Sequence, residues 1–125
     1  MMTRAEIADW ATAYIEAQMI PKIPGNHPLW WAIHQFMLVD STTSPEDCWL
    51  AILEILSRKP PQQVMQVLAA GALEDLITHH GPEFIERIEL EARRNSAFRH
   101  LLGGVWRSST PEVWTRVEQA RGKSW

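Results

Sequence analysis

Apolar residues recur along this chain at three- and four-residue spacing, in short runs cut by proline and glycine. Ile7, Trp10, Ala11, Tyr14, Ile15 and Met19 share one helical stripe. Thr3 and Glu6 form the Thr-x-x-Glu capping box that opens it, and Pro21 with Pro24-Gly25 closes it. A second helix starts near Asn26 to Pro28 and carries Trp30, Trp31, Ile33, Phe36 and Met37, apolar most of the way round. The third reads from cap to stop. Ser44 stands at the N-cap, Pro45 at the first helical position, Glu46 and Asp47 in the positive first turn, and Arg58-Lys59 in the negative last turn. Trp49, Ile52, Leu53 and Leu56 make its buried stripe.

Beyond Pro60-Pro61 the punctuation is denser. A short helix with Val64, Val67 and Leu68 is predicted to stop at Gly71, and another with Leu73, Leu76 and Ile77 at Gly81, each glycine acting as a C-cap. Pro82 then opens a helix with Phe84, Ile85, Ile88 and Ala92 on one face and Glu83/Arg87 and Glu89/Arg93 pairs on the other. Ser96 is the expected cap for Phe98, Leu101 and Leu102, which stop at Gly103-Gly104, and Thr110-Pro111 opens a last helix with Val113, Trp114 and Val117. The tail "ARGKSW" is expected to be loose. No stretch alternates apolar and polar residues long enough to predict a strand. The expected fold is all-α: a compact array of six to eight short antiparallel helices, helical-repeat-like in packing but without a sequence period, forming a single domain over residues 1–125.

Composition narrows the class. A chain of 125 residues, 46% hydrophobic and 22% charged, holds one ordinary globular core. Its longest apolar runs, "LWWAI" and "FMLV", fall far short of the roughly 20 residues of a membrane span. Glu6 and Asp9 occupy the place of a signal peptide's apolar core, and the single cysteine, Cys48, cannot form an internal disulfide. A cytoplasmic protein without a membrane partner is expected. Cys48 lies between Asp47 and Trp49, where nearby anions oppose a thiolate, so it reads as a packed residue rather than a nucleophile.

The net charge of -3 hides an uneven distribution. Residues 72–91 hold six acids against Arg87, whereas residues 92–125 hold seven bases against Glu112 and Glu118. Such blocks either steer a partner or pair internally between neighbouring helices, and internal pairing is the commoner outcome. Of the seven tryptophans, Trp10, Trp31, Trp49, Trp106 and Trp114 fit core stripes or helix junctions, leaving Trp30 or Trp125 for the surface.

The densest chemistry is in "AAGALEDLITHHG", residues 69 to 81. Asp75 and His79 are four apart and share a helix face, with Glu74 beside them, so an acid–imidazole pair is geometrically open. A metal site or general base would need more ligands, and Gly81-Pro82 interrupts the step from His79 to Glu83. No "HExxH", nucleophile elbow or phosphate loop is present, "LLGGVW" lacking the lysine and glycine spacing of the last. The expectation is therefore no catalytic residues, no metal and no cofactor, with Glu74 or Asp75 pairing with an arginine of the basic block. That block, Arg93 to Arg121 with Trp106 and Trp114, is a weak nucleic-acid candidate, and a pI near 5.9 argues against it.

The run "AAGALEDLITHHGPEFIERIELEARRNSAFRHLLGGVW", followed by "PEVW", resembles an uncharacterised bacterial family of small all-helical proteins. That family's core reads approximately Ala-Ala-Gly-Pro-Leu-Glu-Asp-Leu, His-Gly, an acidic-Arg-Ile helix, a Phe-Arg segment and Gly-Gly-Val-Trp. The likeness covers about residues 46 to 117, with Ala72 where the family has proline. It implies a bacterial all-helical protein and transfers no activity. It marks Glu74, Asp75, His80, Gly81, Arg87, Arg99, Gly103, Gly104 and Trp106 as motif positions, to which Gly71 is added as a helix stop.

Three functional readings follow. The first is a non-enzymatic protein–protein interaction module, immunity- or antitoxin-like, binding through Glu74, Asp75, His79, Glu86 and Trp30. The alternative is a small-molecule or metal site around Glu74, Asp75 and His79 with Arg87 or Arg99. The third is a homodimer through Trp30 and Trp31.

Overall fold

The capping chemistry expected at the amino terminus is formed. Thr3 accepts the Glu6 amide at 3.1 Å, and the Glu6 carboxylate accepts the Thr3 amide at 2.8 Å, opening α1 (Arg4–Gln18). The same bond draws the Glu6 carboxyl below its ordinary range. A loop leads to α2 (Trp30–Met37), whose N-cap is Leu29, slightly later than Asn26 to Pro28. Ser44 caps α3 (Pro45–Ser57) by accepting the Asp47 amide, with Pro45 in the first turn.

The computed structural model describes residues 1–125, which divide into two compact units, Met1–Val64 and Met65–Trp125. All regular structure is helical. The sole extended pairing is an isolated bridge between Val39 and Thr43, and no helix is long and apolar enough to cross a membrane.

In the first unit α1 packs on α2 and α3. Trp10 is fully buried, and its indole N–H donates to the Ala32 carbonyl at 2.8 Å. Phe36 lies against both Trp10, 4.4 Å between centroids, and Tyr14, 5.1 Å and edge-on. Burial pushes the Tyr14 hydroxyl well above the usual tyrosine range. Asp47, though buried, accepts the Met2 amide at 3.2 Å, and Arg58 at the end of α3 donates to the Thr12 hydroxyl and the Ala8 carbonyl of α1. Trp49 and Cys48 are buried, as expected of core residues. Trp31 is not; it is 42% exposed, while Trp30 is half-buried.

The second unit corrects the reading of its glycines. α4 (Gln62–Leu68) does not stop at Gly71 but runs through a π-turn (Ala69–Leu73) directly into α5 (Glu74–Arg94). Its buried positions explain the turn. Within this unit Met65, Leu68, Ala69, Ala72, Leu73, Leu76 and Ile77 fall on two interleaved four-residue repeats. On an α-helix a four-residue step over-rotates by about 40°, so three steps would carry the stripe off its face. The wider i→i+5 turn takes up the excess and keeps the stripe facing inward.

Gly81 is likewise no C-cap. The helix bends at His80 (φ -135°, ψ 20°), where Pro82 removes an amide donor and crowds the preceding turn, and then continues to Arg94. Gly81 is needed for close approach: a Cβ there would lie 2.6 Å from Ser109 Oγ and 2.9 Å from Val113 Cγ1. Asn95 caps α6 (Ser96–Leu102) by accepting the Phe98 amide, so Ser96 is the first helical residue rather than the cap. Buried Glu91 is satisfied by Arg94 at 2.8 Å and the Asn95 amide group at 3.0 Å. Thr110 and Pro111 open α7 (Pro111–Ala120), which packs on α5.

Candidate functional site

Two features of the second unit bring chemistry together. The first surrounds the start of α5. Glu74 is half-buried, and its carboxylate accepts the Trp106 backbone amide at 3.0 Å across 32 residues of chain. The bond fixes the segment after α6 and leaves Trp106 78% exposed, at a helix junction and not in a core stripe, the two places expected for it. Glu74 thus serves a backbone amide rather than an arginine. Asp75 and His79 are exposed on the following turn, and no three His, Cys, Asp or Glu side chains gather where they could hold a metal ion. The imidazole that finds a carboxylate is His80, 3.0 Å from Glu83 across the bend. Glu86 is exposed further along α5, and the Arg87 guanidinium lies 5.0 Å from the Phe84 ring.

The second feature is a cleft of about 510 Å³ between the end of α5, α6 and the segment closing α7. Arg93, Arg99 and Arg121 line it with Glu89. Arg99 Nε donates to the Ala92 carbonyl at 3.1 Å, which sets the guanidinium at the exit of α5. Arg121 lies over the Trp114 ring at 5.5 Å and 3.7 Å from Glu118. Glu89 is taken by Arg116 of α7 through two bonds, 2.9 and 2.5 Å. This pair holds the Glu89 carboxyl below its usual range and raises Arg116. It is the link between acidic middle and basic end that the charge blocks foretold.

One wall of the cleft is the tail, which is docked rather than loose. The Trp125 amide donates to the Gly103 carbonyl at 2.9 Å, its indole N–H donates to the His100 carbonyl at 2.8 Å, and its ring stands 4.9 Å from the His100 ring. Gly103 and Gly104 are the socket. A Cβ on Gly103 would collide with the Lys123 carbonyl, and one on Gly104 would meet the Trp125 ring at 2.5 Å. A groove of about 370 Å³, lined by His100, Lys123 and Trp125, adjoins the cleft through Arg99 and Gly122. Arg93 and Arg121 were visible in sequence only as members of a basic block, since their convergence depends on three elements meeting.

Fold and site together describe a small all-α protein with an anchored exposed tryptophan and an arginine-lined cleft. Residues 20–125 match the model of a family of unknown function, DUF6869, and the chain belongs to that family. The match reaches beyond residues 46 to 117 at both ends and takes in α2 and the docked tail. No curated protein and no solved structure matches the chain.

Proposed function

We propose that this chain is a non-enzymatic protein-binding module that uses Trp106 as its anchor, acting in the bacterial cytoplasm as an immunity- or antitoxin-like protein. The observation that carries this reading is the 78% exposure of a tryptophan whose backbone is fixed by Glu74. A large ring on an already ordered segment loses little conformational freedom on binding, the property of aromatic hot spots. The exposed acids Asp75 and Glu86 on α5 favour a partner with a basic surface. A lone, buried Cys48 suits a reducing compartment.

The test is affinity capture from a lysate of the source organism with the wild-type chain and with Trp106→Ala side by side. The reading expects a protein retained by the wild type at micromolar concentration and reduced at least about tenfold with the variant, a loss of about 1.4 kcal/mol. The thermal midpoints should agree, because the ring packs little. Identical recovery by both chains, or no specific partner, would refute it.

A further inference from the structure

We propose that the cleft lined by Arg93, Arg99 and Arg121 binds a small phosphorylated ligand, a phosphate ester rather than free phosphate. Three arginines from three elements line one concavity. The only acid lining it, Glu89, is engaged by Arg116 through both carboxylate oxygens. Glu118 offsets Arg121 in part, at 3.7 Å and with its side chain half exposed, and the one carboxylate that feels the charge of Arg93 is Glu89, already held by Arg116. The cleft therefore carries excess positive charge.

Helix dipoles account for some of these cations, since Arg93 lies in the last turn of α5 and Arg121 at the C-cap of α7. They do not account for convergence. Like charges sharing a concavity repel, and an oxyanion between them relieves the repulsion. Arginine forks match phosphate oxygens in geometry, and Arg99 is preset by its bond to Ala92. Several guanidiniums suit a dianionic phosphoryl group better than a single carboxylate.

Size points to the ester. A volume of about 510 Å³ lies within the range of sites for whole small molecules and leaves ample room around one phosphate. The adjoining groove continues past Arg99 to the Trp125 ring, 44% exposed, which offers an apolar edge for the organic body. This inference is independent of the Trp106 proposal, and Trp106→Ala should leave it untouched.

The experiment is calorimetric titration of the full chain with ADP and with pyrophosphate near neutral pH in about 150 mM salt, where diffuse surface attraction is screened within about 8 Å. Saturable binding of both is expected, with ADP at least several-fold tighter. Arg99→Gln should weaken ADP and pyrophosphate at least about tenfold each. Arg93→Gln, at an exposed residue, should do the same. Arg4→Gln, in the other unit, should change neither. Absence of saturable binding up to about 10 mM overturns the proposal, as does a loss in Arg4→Gln equal to that in the cleft variants. Pyrophosphate binding as tightly as ADP also overturns it, by showing a site for bare polyphosphate.

Discussion

At the scale of single residues, the seven tryptophans divide into support and display. Trp10, Trp49 and Trp114 are almost wholly buried, whereas Trp31, Trp106 and Trp125 keep from 42% to 78% of their surface. Trp10 combines a fully buried ring with the hydrogen bond to the Ala32 carbonyl. Trp10→Phe therefore removes volume and leaves a buried acceptor unpaired, and should cost about 2–3 kcal/mol in urea denaturation. A change under about 0.5 kcal/mol would mean that water reaches Ala32. Sequence periodicity located Trp10 because it sits inside a regular stripe. It left Trp106 between a core stripe and a helix junction, because that residue follows Gly103-Gly104 outside any helix and is governed by a carboxylate 32 residues away.

Elements show the same split between local and distant causes. Thr3 with Glu6, Ser44 with Pro45, and Thr110 with Pro111 open helices as their sequences predict, because cap and first turn lie within four residues of each other. Gly71 and Gly81 misled because identical residues answer different needs. Nothing lies within 4 Å of a Cβ built on Gly71, whereas one on Gly81 collides with Ser109 and Val113. Gly71→Ala should then stabilise the chain by about 0.5–1 kcal/mol through reduced freedom of the unfolded chain. Gly81→Ala should destabilise it by about 1–3 kcal/mol as the segment before α7 is pushed away. Thermal melts of the two variants should move in opposite directions; parallel shifts would contradict the close approach of Ser109 and Val113 as the reason for Gly81.

Across the whole molecule, the charge blocks were legible as totals but not as a geometry. Glu89 and Arg116 realise the expected neutralisation between α5 and α7, while Arg93, Arg99 and Arg121 leave a local surplus at the cleft. No spacing in the sequence announces that surplus, because its residues come from the ends of separate helices. Arg116 holds the Glu89 carboxyl below its ordinary value of 4.5. Such a group adds stability above the unfolded value, and that stability is lost as pH falls through the lower folded value. Glu89→Gln should accordingly lower the thermal midpoint at pH 7, and the gap from wild type should close below about pH 4. A gap independent of pH between 3 and 7 would assign Glu89 a role other than its charge.

The Trp106 ring stands in water while its backbone is clamped, which gives the protein an optical reporter. Its emission should be the most red-shifted of the seven indoles and the first to be quenched by acrylamide. A partner that covers it would shift the emission to shorter wavelength and shield it from the quencher, so occupancy of that surface can be followed by light without a label.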